Sequence, residues 1–312
     1  MIEKIKGCLF GGAFGDSLGY PIEFLHVKEI KRKGLLKEPF TISEFSDDTQ
    51  MTLFTAEGLC VSNDKKTITN ILSAYKYWYG TQYELPRHNY SYTSKLYEDK
   101  RLHSLRAPGN TCLSSLRADP EDVFNNSCGC GGVMRVAPIG LIYGPKESYF
   151  LGCEAAKLTH KHSLGYESAG ILSSIISNIM KGEDLEIAIR KAIKLCSSRQ
   201  LRNLLKLAVS FVDDDIEPVL AFKELGLGWT GHEALAISIY CALRHRYESD
   251  HFKKALLESV FHDGDSDSTG AITGNILGAF YGISKLPFKK EDIECFDLID
   301  DLADKLLGRK NL

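Results

Sequence analysis

The sequence predicts an all-α protein, a single compact multi-helix orthogonal bundle with residues 1–312 forming one domain. Three observations carry this expectation. From residue 147 onward, apolar residues recur at helical spacing in one segment after another. No stretch alternates apolar and polar residues with the period of two that a half-buried strand needs, and no hairpin turn signal is present. The connecting segments are short, and no low-complexity boundary divides the chain.

Residues 3–19 read as a helix carrying Gly7, Gly11, Gly12, Ala13 and Gly15. Glycine weakens an isolated helix, so this many on one helix imply very close packing against a neighbour or a ligand. Pro21 ends it, and Glu23 follows between apolar residues. Residues 24–45 are charged and irregular, and Lys28, Lys31, Arg32, Lys33 and Lys37 there read as a solvated face. Ser46-Asp47-Asp48-Thr49 then opens an apolar run from Gln50 to Leu59, where a serine or aspartate is a helix N-cap signal.

Residues 67–79 give an aromatic-rich helix. The longest irregular stretch follows at 81–110, with Pro86, Arg87, His88, Arg106 and Pro108-Gly109-Asn110, and a segment of that length is expected to border a substrate cleft. In 125–135 the glycine-rich run Ser127-Cys-Gly129-Cys-Gly131-Gly132-Val-Met134-Arg135 suggests a helix starting at Gly131 or Gly132, with backbone N–H groups facing an anion. Amphipathic helices are expected at 164–180, 184–196, 201–212, 250–261, 267–283 and 290–308, and helix 231–246 is apolar nearly all round and therefore central. Two polar knots interrupt them: Thr159-His160-Lys161-His162, and Gly226-Leu-Gly-Trp229-Thr-Gly231, where Trp229 is either a loop plug or a stacking platform.

Composition narrows the function. Hydrophobic residues make up 44% and charged residues 25%, with a net charge of −3, so no basic excess exists to neutralise a nucleic-acid backbone. No stretch approaches the ~20 apolar residues of a membrane span. The apolar run Cys8–Phe14 is interrupted by Asp16 and lacks a cleavage motif, so no signal peptide is read. Nine cysteines, an odd number in mostly apolar helical contexts, fit reduced thiols in a cytoplasmic protein, expected as a monomer. Neither the lone Cys128-Gly-Cys130 nor the His160/His162 pair completes a zinc set.

The chemistry lies in two oxygen-rich knots near opposite ends of the chain: Ser46-Asp47-Asp48 and Asp265-Ser-Asp267-Ser268. Hard oxygen donors without cysteine or histidine suit Mg²⁺ or Mn²⁺ better than Ca²⁺. Four carboxylates would repel one another without a cation, and they suffice for two ions. The alternative is two unrelated helix-capping acid clusters. Glu23 is likewise either a loop acid or an acid beside the metals, its pKa tuned by them.

Four blocks in order resemble the ADP-ribosylglycohydrolase family: Gly11–Glu23, Ser46–Met51, Gly129–Gly140 and Gly264–Asn275, with Thr159-His160 and Gly228-Trp229 as smaller matches. The resemblance implies an all-α fold with a di-metal site at the mouth of a central cleft. It implies two Mg²⁺ ions on Ser46, Asp47, Asp48, Asp265, Asp267 and Ser268, and hydrolysis of the bond between ADP-ribose and a protein side chain. Glu23, Asp47 and Asp267 become the candidate catalytic residues. Asn110, Ser127, Gly129, Gly131, Gly132, Met134, Arg135, His160 and Trp229 become the candidate contacts to ADP-ribose. The expected partners are ADP-ribose and an ADP-ribosylated protein. The competing readings are a catalytically inactive ADP-ribose-binding or structural protein on the same fold, and a metallohydrolase of phosphate esters. One departure from the family pattern is Asp263, which adds a charge beside the second knot.

Overall fold

The structure is a computed structural model that describes residues 1–36, 42–61, 66–85, 90 and 92–310. Lys37, Pro86, Arg87 and His88 lie outside the described residues. Regular structure among the described residues is helical, apart from one isolated antiparallel bridge between Gly129 and Thr230.

The chain opens with α1 (Ile2–Gly19) and α2 (Val27–Lys33), followed by α3 (Asp47–Cys60) and α4 (Thr67–Gln82). Two short helices, α5 (Lys95–Glu98) and α6 (Asn110–Arg117), come next. The middle of the chain holds α7 (Ala137–Ile142), α8 (Pro145–Lys157), α9 (Ser163–Met180) and α10 (Leu185–Ile193). Then α11 (Arg199–Asp213), α12 (Pro218–Leu225), α13 (Gly231–Arg244) and α14 (His251–Val260) lead to α15 (Ser266–Tyr281), and α16 (Phe296–Lys310) closes the chain.

The core follows from the sequence pattern. On α11, Leu201, Leu205, Ala208 and Val209 are buried along one stripe, as a 3.6-residue period requires. Eleven of the fourteen residues of α13 are buried, which makes it an interior helix. Three expectations need correction. The charged stretch 24–45 contains a regular helix, α2, ended by Gly34 in the left-handed conformation (φ 66°). The last helix begins at Phe296 rather than near 290. No helix starts at Gly131 or Gly132: Cys130–Gly132 form a single 3-10 turn, and α7 starts at Ala137 with Pro138 in its first turn.

The pairing of α1 with α15 positions the site. Gly7, Gly11, Gly15 and Gly19 face Gly278, Gly274, Gly270 and Ser266 in turn, so the two helices run antiparallel. A Cβ on Gly15 would lie 2.0 Å from Gly270 O, and one on Gly274 would lie 1.9 Å from Gly11 O. Only glycine permits this backbone contact. The C-terminal end of α1, leading to Glu23, is thereby brought beside the N-terminal end of α15, which carries Asp265 and Asp267.

Residues 92–96 of the 81–110 stretch are tied down by Glu57 of α3. Its buried carboxylate accepts from Ser94 Oγ (2.5 Å), Lys95 N (2.8 Å), Leu96 N (3.1 Å) and Tyr92 OH (3.1 Å). Four donors on one carboxylate explain how a largely irregular segment is held against α3. Among the described residues of the stretch, Ala107, Gly109 and Asn110 line the cavity described next.

Candidate active site

Asp16 ties the first acidic knot to the glycine helix. It is fully buried on α1, and its carboxylate accepts from Ser46 N (2.9 Å), Thr49 N (2.9 Å) and Thr49 Oγ1 (2.5 Å). The N-terminus of α3 is therefore moored to α1, with Ser46 as its N-cap accepting from Asp48 N (3.2 Å). Asp47 N donates to Arg106 O (2.9 Å), and Arg106 is itself fixed by Glu294 (3.0 Å) and Phe45 O (3.2 Å). Asp265 caps α15, accepting from Ser268 N (3.2 Å), and Asp267 Oδ1 accepts from the same N–H (2.9 Å).

These moorings place Glu23, Asp47, Asp48, Asp265, Asp267 and Ser268 on a cavity of about 210 Å³. Oxygen atoms of Glu23, Asp265 and Asp267 lie within 4.8 Å of one another, a spacing that could hold a metal ion; among the described residues, Asp47 and Asp48 stand outside that tight trio. Glu23 Oε2, Asp47 Oδ2 and Asp48 Oδ1 are buried with no hydrogen-bond partner. Burial, then the charge of Asp267, pushes the Asp16 carboxyl up to about 7. Burial, then Asp267, Asp265, Asp47 and Asp16, pushes Glu23 up to about 10. Burial and Asp267 also hold Asp47, Asp48 and Asp265 well above the usual carboxylate range. So much buried acid calls for a cation.

The other side of the cavity is the glycine loop. Asn110, Gly129, Gly131, Met134, His160 and Trp229 line it, together with Ala107, Thr111, Cys112 and Cys130. Ala107 holds a left-handed backbone (φ 55°) directly before Pro108, a conformation costly for a non-glycine residue in that position. The glycine loop and the Trp229 loop are joined: Cys130 N donates to Trp229 O (3.2 Å) and Gly231 N to Cys128 O (2.8 Å). Gly129 N donates to Ser127 Oγ (3.3 Å). The N–H groups of Gly129 and Cys130, expected to face an anion, thus bond within the protein. Trp229 is partly exposed and stacks on Phe24 (centroids 5.7 Å, planes 19° apart), a pairing the sequence left open.

Four expected site residues do not line the cavity. Ser46 sits beneath it as the cap of α3. Ser127 braces the glycine loop through Thr111 Oγ1 (3.1 Å) and Gly129 N. Gly132 is packed under Ala156, which a Cβ would meet at 3.1 Å. Arg135 is the clearest correction. It is entirely buried, lies over the Tyr75 ring at 4.2 Å, and donates to Thr159 Oγ1 (2.7 Å) and Ala155 O (3.4 Å).

Arg135 nonetheless acts on the cavity indirectly. Thr159 Oγ1 accepts from Arg135 and lies 2.8 Å from His160 Nδ1, nearer than its other acceptor, Ala156 O, at 3.4 Å. On this distance we assign the threonine proton to Nδ1, which leaves the histidine proton on Nε2. Burial, then the Arg135 charge, pushes the His160 pKa down to about 3, so the ring is neutral. Asp16 is the residue that sequence reasoning passed over. Its one signal was a buried-type position for an acid, Gly15-Asp16-Ser17, inside a run of small residues. Asp263 is also resolved: its carboxylate accepts from Val27 N and lies 3.7 Å from His26 Nδ1, so it anchors the start of α2.

Comparison with known proteins identifies the family. The family model described as ADP-ribosylglycohydrolase matches residues 1–312. ADP-ribosylhydrolase ARH3 of Mus musculus is 26% identical, over 98% of this chain and 91% of that protein. The ADP-ribosyl-dinitrogen reductase glycohydrolase of Rhodospirillum rubrum is 22% identical, over 91% of this chain and 88% of that protein. A solved structure described as an ADP-ribosylglycohydrolase-related protein complex superposes with a TM-score of 0.65 at 21% identity, covering 99% of this chain and 98% of that one, which supports the fold. The chain belongs to the ADP-ribosylglycohydrolase family.

Proposed function

We propose that this protein is a metal-dependent ADP-ribosyl hydrolase. It frees ADP-ribose from a modified protein side chain by cleaving the glycosidic bond at the ribose anomeric carbon. The observation that carries this reading is the set of five buried carboxylates facing one small cavity opposite a neutral histidine and a glycine loop. The names of the mouse and Rhodospirillum relatives supply the substrate class, and we extend it to this chain.

The residues fit the expected cofactor, a pair of Mg²⁺ ions with Mn²⁺ as a substitute. Three orphaned carboxylate oxygens, on Glu23, Asp47 and Asp48, provide unused hard donors. Asp265, Asp267 and the hydroxyls of Ser46 and Ser268 would complete the set, at the mouth of the cleft. When bound, such ions grip sugar hydroxyls and lower the pKa of water.

The chain's own residues do the rest. Glu23, a member of the trio, moves the proton of the attacking water or of the departing acceptor. His160 offers an Nε2–H donor that keeps its proton throughout the physiological range, because Thr159 and Arg135 fix its tautomer. Trp229, stacked on Phe24, gives the cavity an aromatic wall. The transition state of glycosidic cleavage resembles an oxocarbenium ion, so buried carboxylate charge near the anomeric carbon is an advantage. We read residues 1–312 as one domain.

The test is release of free ADP-ribose from Arg- and Ser-ADP-ribosylated proteins, in Mg²⁺ and in EDTA, with wild type and Asp265→Ala. Mg²⁺-dependent release that the variant abolishes is expected. Release undiminished by EDTA or by the substitution would falsify the metal assignment.

A further inference from the structure

A second, larger cavity, about 990 Å³, opens on the surface between α2, α12 and the end of α14. Its floor and walls are apolar: Val27, Leu35, Val219, Phe222, Leu227 and Phe261. Val219 is 72% exposed and Leu227 48%. An apolar groove of this size on a folded chain marks a binding surface rather than ordinary scatter of exposed side chains.

The charges around it are one-sided in availability. Lys28, Lys31 and Lys223 line the groove, all exposed, and among the described residues none forms an ion pair; Lys31 lies over the Phe261 ring at 5.5 Å. Two of the three acids of the same lining are ion-paired: Glu217 with Arg244 (3.1 Å), and Glu258 with His245 and Arg244. The third, Asp263, accepts from Val27 N at the end of the groove beside α2 and is outnumbered by the three lysines. The groove therefore presents free positive charge over an apolar floor.

The groove also adjoins the catalytic cavity on its carboxylate side. Val27 follows Glu23 by four residues, and Leu227 O accepts the N–H of Asp265 (2.9 Å). The hydrolase reading puts the nucleotide half of ADP-ribose on the opposite side, with the glycine loop and His160. The acceptor, which departs from the anomeric carbon, is left to occupy the carboxylate side. An extended chain covers ~3.3 Å per residue, so residues four or five positions from the modified side chain extend roughly 13–17 Å from it.

Building on the hydrolase reading, we infer that this groove docks the ADP-ribosylated protein through an acidic segment with apolar side chains next to the modified residue. The acids meet Lys28, Lys31 and Lys223, and the apolar side chains lie against Val219, Phe222 and Leu227.

Two synthetic peptides, ADP-ribosylated at the same residue, test it: one flanked by Glu and Leu, the other by Gly and Lys. Wild type is expected to prefer the acidic peptide by at least ~10-fold in kcat/KM, through KM and more strongly at low salt. The surface variant Lys28→Glu/Lys31→Glu/Lys223→Glu is expected to abolish that preference with free ADP-ribose affinity unchanged. Equal treatment of both peptides by wild type overturns the inference. So does an equal loss of free ADP-ribose affinity in the variant, which would put the nucleotide half in the groove. Wild-type dimers in the ultracentrifuge that the variant splits would make the occupant a second copy and also overturn it. If wild type releases ADP-ribose from neither peptide, the hydrolase reading has failed, and the groove is judged by binding of the fluorescein-labelled unmodified Glu/Leu peptide. Saturable binding lost in the variant upholds the docking surface; no binding to wild type overturns it.

Discussion

Gly15→Ala tests whether the α1–α15 contact sets the geometry of the carboxylates. The added Cβ would lie 2.0 Å from Gly270 O and 2.3 Å from Gly270 C. A relaxed carbon–oxygen contact is about 3.3 Å, so the helices must part by roughly 1.3 Å at that level. The obstructing atoms are backbone and cannot rotate away. Overpacking of this kind costs about 1–3 kcal/mol. The same displacement separates Asp16 and Glu23 from Asp265 and Asp267, and a misplacement near 1 Å costs roughly 100-fold in rate. Urea denaturation and ADP-ribose release, measured side by side, are expected to report both losses. Gly308→Ala in α16 is the control: its Cβ meets nothing within 4 Å, and alanine in a helix is favoured by up to ~1 kcal/mol, with activity unchanged. A Gly15→Ala protein with wild-type midpoint and kcat/KM would refute the reasoning.

In metal-free protein, Asp16 and Glu23 have folded pKa values raised to about 7 and about 10. The native state then holds more protons than the unfolded chain, so their contribution to stability is full below about pH 4 and is lost as pH rises through those values. Metal-free protein should therefore melt at progressively lower temperature from pH 5 to 9, and saturating Mg²⁺ should flatten that slope; a flat metal-free profile contradicts the arrangement. His160→Ala should weaken ADP-ribose binding in calorimetry yet leave the shape of the kcat/KM–pH profile between 5 and 9 unchanged, because the ring is already neutral there. Arg135→Met should cost about 3 kcal/mol in urea unfolding, as expected when buried polar partners lose their cation. It should weaken ADP-ribose binding through His160, with Mg²⁺ affinity retained.

Much of this architecture is legible in the sequence because it rests on local rules. Periodicity marks α9 and α11, an apolar run marks α13, and caps mark the starts of α3 and α15. The glycines of α1 announce a close backbone neighbour, although only the three-dimensional pairing identifies it as α15. Asp16 was illegible for a physical reason. An acid in a small-residue helix looks like a solvated interruption until the chain segment that it holds, Ser46 to Thr49, is in place. Arg135, expected as an ADP-ribose contact on the family resemblance alone, is instead buried over Tyr75, a placement that depends on helices far away in sequence. The helix expected at Gly131 failed because those glycines serve close packing under His160 and Ala156. Residues 92–96 are held by Glu57, a partner that no pattern within that stretch reveals.

Anomalous diffraction from crystals grown with Mn²⁺ tests the central claim most directly. The account expects two peaks about 3.5–4 Å apart, bounded by Asp47 and Asp48 on one side and by Asp265 and Asp267 on the other, with Glu23 alongside. Absence of a peak at these carboxylates under saturating Mn²⁺, or ions bound only elsewhere, would contradict it.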